Sequence, residues 1–147
     1  MTIATVALAL VLGAIVSIYF PMIARSAQIL GSGPLANVPF FAIAFVSSVA
    51  IALATGSRAA DFQKVGTVPL WLLSAGIMSA GMILGSSYLI PRMGLGVFFV
   101  LLVSGQVLAG MVFGQLGLFG MAQSPLNLSK LLGAAMVIGG VTLVTLK

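Results

Sequence analysis

The chain has no cysteine and no histidine, and its 147 residues carry one carboxylate side chain, Asp61, against six basic ones. Each absence removes a chemistry. One acid leaves no carboxylate pair for glycosidic or proteolytic work, and no histidine means no Ser/His or Cys/His nucleophile system. Zinc, haem and iron-sulfur centres lose their usual ligands, so neither a metal nor a cofactor is expected, and disulfides are impossible. The sequence therefore does not read as an enzyme. Charge is scarce throughout, at 5% of residues, whereas 61% are hydrophobic and the mean hydropathy is +1.31. A soluble domain has about a quarter charged residues, so this composition belongs in a lipid bilayer. The isoelectric point near 10.5 does not point to nucleic acid. Arg25, Arg58, Lys64, Arg92, Lys130 and Lys147 are scattered singly and form no patch, which reads as loop anchoring.

What is present is a set of long uncharged runs: 2–24, 26–57, 65–91, 93–129 and 131–146. Each is close to or above the roughly 20 residues that cross a bilayer. None alternates polar and apolar residues as a barrel strand would, so backbone hydrogen bonding in lipid requires helices. The expectation is an all-α polytopic membrane protein, a single transmembrane domain over 1–147, with helices at about 3–24, 35–57, 68–90, 94–117 and 128–146. The first run lacks a basic leader and shows no convincing cleavage pattern in a short apolar core, so it reads as a retained helix and not as a signal peptide. Gly31-Ser32-Gly33-Pro34 supplies a turn and a helix start, Pro91 is read as closing the third helix, and Asn127 as capping the fifth. Arg58, Asp61 and Lys64 recur at spacing three, yet the segment between the second and third helices reads foremost as a solvated loop.

Five crossings place Arg58, Lys64 and Lys130 on one membrane face and Arg25, Arg92 and Lys147 on the other. The Lys/Arg bias that orients polytopic proteins is thus balanced. Dual insertion and pairing with an inverted second copy follow as an expectation, with a single orientation fixed by charge position, or a homologous, oppositely biased five-helix partner, as the alternatives. Small residues at Gly81 and Gly85, Gly110 and Gly114, and Gly133 and Gly140 suit close helix packing, because apolar side chains gain nothing over lipid there.

Polar groups within the spans are the candidate solute contacts. Gln106 stands mid-helix, with Gly110, Phe113 and Gly117 on its stripe, and its amide both donates and accepts. An interhelical hydrogen bond explains it equally well. Ser104 lies beside it, Ser74 and Tyr88 share a face of the third helix with Met78, Gly81 and Gly85, and Ser17 precedes Pro21, which offers no N–H to the Ser17 carbonyl. A midplane cavity lined by the first, third and fourth helices, with Gln106 and Ser104 as its main contacts, is the expected site. Phe40-Phe41 and Phe98-Phe99 are placed at similar depth and are a candidate aromatic gate, with lipid packing as the plainer reading. Tyr19, Tyr88 and Trp71 suit interfacial belts.

The stretch LIPRMGLGVFFVLLVSGQVLAGMVFGQLGLFGM at 89–121, then SPLNLSKLLGAAMVIGGV, together with the earlier GSGPLANVPFF, resembles the YdcZ-type inner-membrane exporters of the drug/metabolite transporter superfamily. The resemblance implies a five-helix half-transporter in the inner (plasma) membrane, working as an antiparallel pair that forms a ten-helix EamA-like assembly. It is related more distantly to four-helix multidrug exporters, whose first-helix acid this chain lacks. Family members often carry an asparagine late in the first helix, where Ile23 stands here. The function expected is alternating-access export of a small organic metabolite. A passive dual-topology channel for a small ion or solute, and an accessory subunit of a membrane complex, remain as alternatives.

Overall fold

The computed structural model describes residues 2–120 and 122–146, and for Phe119 the backbone only. Among these residues the fold is all-α. Its helices are α1 (Ile3–Leu30), α2 (Gly33–Ala54), α3 (Leu70–Met93), α4 (Leu95–Leu116) and α5 (Leu128–Thr145), with short 3-10 segments at Ala59–Thr67 and Leu118–Gly120. All five α-helices are long and apolar enough to cross a membrane.

The helix ends follow from local chemistry. Thr2 caps α1 by accepting from the Thr5 N–H, and Ser32 and Asn127 accept from Leu35 N and Lys130 N to cap α2 and α5. Gly31 ends α1 at φ 65°, with Ser32 N–H closing back on the Ala27 carbonyl at 3.1 Å, a Schellman-type stop that glycine adopts without a steric penalty. Gly94, at φ 81°, separates α3 from α4.

Three expectations about the connections need correction. α1 runs past Arg25 to Leu30, and α3 runs through Pro91 and Arg92 to Met93, so neither arginine is in a loop. A long side chain reaches headgroup level from the last turns of a helix, and a proline near the end of a helix removes one hydrogen bond without ending it. The segment between α2 and α3 is not an irregular loop but a 3-10 helix. Asp61 accepts from the Arg58 backbone N–H at 2.9 Å and pairs with Lys64 at 2.7 Å, fastening the turn from both sides. Lys130 stands in the first turn of α5, inside the span expected from 128. Lys147 lies outside the described residues.

The chain divides into two compact units, Met1–Arg92 and Met93–Lys147. In the first, α1 and α2 form an antiparallel hairpin, and α3 meets it through the Asn37–Ala80 hydrogen bond and Leu84 beside Gly33, with Ile83, Ser86 and Ser87 of α3 buried. Phe20, Ile23, Ala24 and Ala36 of the hairpin are buried as well. Tyr19 stacks on Phe40 at 6.0 Å and meets Phe20 edge-on at 4.7 Å. In the second unit α4 packs on α5, with Phe98 and Ser104 buried. Most remaining apolar side chains are exposed, as expected of helices whose outer surface is solvated by lipid or by other protein.

Candidate functional site

Hydroxyls in these helices satisfy themselves first. Ser17, Ser48, Ser79 and Ser104 donate to the carbonyls four residues back, Gly13, Ala44, Ala75 and Val100. Ser74 donates to Trp71 at 2.6 Å. Such back-bonding lets a hydroxyl reside in lipid without a partner helix, and it leaves Ser17, Ser74 and Ser104 only acceptor capacity for a solute.

In the second unit Gln106, Gly110 and Gly114 line one face of α4 and open on a pocket of about 290 Å³. Val107, Met111, Ser124 and Lys130 complete it. Gln106 is exposed within the chain, and its amide has no hydrogen-bond partner among the described residues. The pocket's far wall is tightly built. The Lys130 ammonium donates to Ser124 Oγ at 2.7 Å, Pro125 O at 2.7 Å and Ser124 O at 3.1 Å, using all three of its donors. Ser124 N–H donates to the Gly114 carbonyl at 2.8 Å, and Leu126 N–H to Gln115 Oε1 at 2.6 Å. A Cβ on Gly114 would stand 3.6 Å from that of Ser124. Lys130 therefore holds the α4–α5 connection, leaving Gln106 as the open polar group.

Ser104 does not join Gln106. Two residues along a helix rotate by about 200°, and Ser104, buried, faces α5 in a separate apolar groove with Phe99, Val137, Gly140 and Val141. The expected pairing of Ser104 with Gln106 as joint contacts is thus not what the structure places together.

In the first unit the sequence reading missed Asn37. Its Nδ2 donates to the Ala80 carbonyl on α3 at 3.1 Å, while Oδ1 is buried without a partner. The signal was available as a lone amide inside an apolar run, the same criterion that singled out Gln106. A larger pocket, about 520 Å³, opens where the end of α1, the start of α2 and the end of α3 meet, with Gln28, Ser32, Ser87, Tyr88 and Arg92 among its walls. Tyr88 thus does line a pocket, but about four turns, or about 21 Å, from Ser74 on the same helix. One small solute cannot touch both.

Residues 4–143 match the family described as "Putative inner membrane exporter, YdcZ". The chain belongs to the YdcZ inner-membrane exporter family. It is accordingly a multi-pass protein of the inner membrane and a membrane transporter, and its five apolar helices supply the spans. No curated protein and no solved structure matches it significantly.

The remaining candidates are placed as follows in this YdcZ chain. Phe40 and Phe41 meet edge-on at 5.1 Å, and Phe98 and Phe99 at 5.3 Å. Phe40 is part of the Tyr19 cluster between α1 and α2, and Phe98 is buried in the second unit. Gly81, Gly85, Gly110, Gly133 and Gly140 have nothing within 4 Å of where a Cβ would be, so within the chain their surfaces are open. The close approach is elsewhere, at Gly33, where a Cβ would lie 2.9 Å from Leu84 Cδ1.

Proposed function

We propose that this YdcZ-family chain is half of a secondary carrier that exports a small neutral or zwitterionic organic metabolite by alternating access. The reading rests on Gln106. Its amide lies about halfway along α4, open and unpaired, at the head of a pocket reaching toward the α4–α5 connection. An amide offers both donor and acceptor to a polar solute in an apolar setting, and intramembrane polar groups facing a cavity mark solute paths.

The second half is proposed to be an inverted copy of the same chain. The balanced Lys/Arg distribution supports it, as do the exposed α3 positions Ser74, Met78 and Gly81, and an α5 with no buried residue. Inverted repeats with a midplane site are a common transporter architecture.

The test is flux in liposomes together with detergent chromatography. Gln106→Leu is expected to abolish saturable, counterflow-competent transport with dimer yield unchanged. Loss of the dimer instead would assign the amide to helix packing. For orientation, single cysteines beside Arg92 or beside Asp61 are labelled in intact cells with an impermeant maleimide. Partial labelling at both sites is expected, and full labelling at one alone would replace the homodimer with an oppositely oriented partner chain.

A further inference from the structure

The pocket at the α1–α2 turn has a distinct hydrogen-bonding character. Arg25 Nη1 donates to Gln28 Oε1 at 3.1 Å. This occupies the acceptor of that amide and leaves its NH2 group, with two donors, for the pocket that Gln28 lines. Arg92 sits over the Tyr88 ring, its guanidinium carbon 3.4 Å from the ring centroid, and Nη1 donates to the Tyr88 carbonyl at 2.7 Å. A guanidinium has five N–H groups, so most of its donors remain. Ser32 Oγ already accepts from Leu35 N–H, which leaves its hydroxyl proton. Ser87, by contrast, has its proton on the Ile83 carbonyl. The open side-chain donors therefore come from Gln28, Arg92, Ser32 and the Tyr88 hydroxyl, with two guanidinium charges near them.

No carboxylate side chain balances those charges. Asp61 is the single one in the chain, it is bound to Lys64, and it lies beyond the opposite end of α3. The other walls, Ala27, Pro34, Leu84 and Pro91, are apolar. The depth is also informative. At 1.5 Å per residue, α1 is about 42 Å long, against a hydrocarbon core of about 30 Å, so one or more of its end turns must lie among headgroups. The polar last turns, with Arg25, Ser26 and Gln28, meet that requirement better than the apolar stretch before them.

We propose that this pocket binds a phosphate oxyanion carried on a partly apolar body, through Arg92, the Gln28 amide and the Ser32 hydroxyl, with Tyr88 holding the Arg92 guanidinium in place. Arg25 fixes the orientation of Gln28. A planar guanidinium fork fits a phosphate, and the apolar walls fit the glycerol and first methylenes of a phospholipid as well as the carbon skeleton of a soluble organic phosphate. The site is separate from the Gln106 pocket and does not depend on the reading given to it.

Purified full-length chain in a neutral detergent, titrated with dihexanoyl-phosphatidylglycerol, dihexanoyl-phosphatidylcholine or inorganic phosphate and followed by thermal unfolding, tests this. Phosphatidylglycerol is expected to raise the unfolding temperature and phosphatidylcholine to do so much less. Arg92→Gln is expected to weaken the effect about tenfold or more, the scale of one charge-assisted hydrogen bond. Gln28→Glu keeps the contact to Arg25 and sets a carboxylate in the pocket, so it is expected to remove anion binding even if Arg92→Gln does not fold. If inorganic phosphate competes at similar concentration, the ligand is a soluble phosphate; if it does not, the ligand is a lipid headgroup. Equal responses to the two lipids, or wild-type affinity in Gln28→Glu, would overturn the proposal.

Discussion

Asn37 on α2 and Ala80 on α3 are joined by a hydrogen bond of 3.1 Å from Nδ2 to the carbonyl, and the other end of the same amide, Oδ1, is buried with no donor facing it. The pair ties α3 to the hairpin at a point where neither helix offers charge.

Replacing Asn37 by alanine removes that bond and the unpaired oxygen together. Interhelical hydrogen bonds in membrane bundles average about 0.6 kcal/mol, so Asn37→Ala is expected to cost about 1 kcal/mol or less in reversible unfolding from mixed micelles. Asn37→Asp, nearly the same shape, sets a second acceptor against the Ala80 carbonyl and is expected to cost more than alanine does.

Gly31 and Gly33 flank Ser32 but do different work. Gly31 holds φ 65°, so Gly31→Ala is expected to cost about 1–2 kcal/mol through backbone strain. Gly33→Ala meets only Leu84 Cδ1, the end of a flexible and partly exposed side chain, and is expected to cost less. Thermal unfolding of the two variants in the same detergent would show the order.

Asp61 is held below its ordinary value of 3.8 by the Lys64 ammonium first and the Arg58 N–H second, with desolvation opposing. A carboxylate whose folded pKa is depressed adds stability above its unfolded pKa and loses it as pH falls through the folded pKa. The 3-10 segment should thus be unchanged from neutral pH down to about 4 and loosen only below that. A carbon-13 titration of the Asp61 carboxyl is expected to give a midpoint under 3.8, and Lys64→Ala should bring it back toward that value.

A charge added to a balanced chain should decide its orientation. A lysine at Ser57 is expected to hold the α2–α3 face in the cytoplasm, and a lysine at Gln28 the opposite face. Maleimide accessibility of a cysteine beside Asp61 would then be lost in the first variant and complete in the second.

The five spans and the Asn127 cap were legible in the sequence, because uncharged length and capping chemistry are local properties, whereas Ser32 reads only as part of a turn and proves to be the cap of α2. Arg25 misled because a charge was equated with a helix end, although the polar last turns of a long α1 tolerate it. The opposed directions of Ser104 and Gln106 followed from helical rotation alone and needed no structure. The bond from Asn37 to Ala80 links residues 43 apart in the chain, and the Arg25–Gln28–Arg92 grouping needs the ends of α1 and α3 brought together. Neither is encoded in any local pattern.

The six basic residues count as equals only in an electrostatic tally. Lys130 is tied to three oxygens of the α4–α5 connection, whereas the side chain of Arg58 caps nothing. A lineage drifting from dual toward fixed orientation can discard Arg58 freely, but discarding Lys130 would unfasten the wall of the Gln106 pocket. Both residues lie on the same membrane face, so a drift of bias away from that face would run through Arg58 and spare Lys130, the one nearer the proposed solute path.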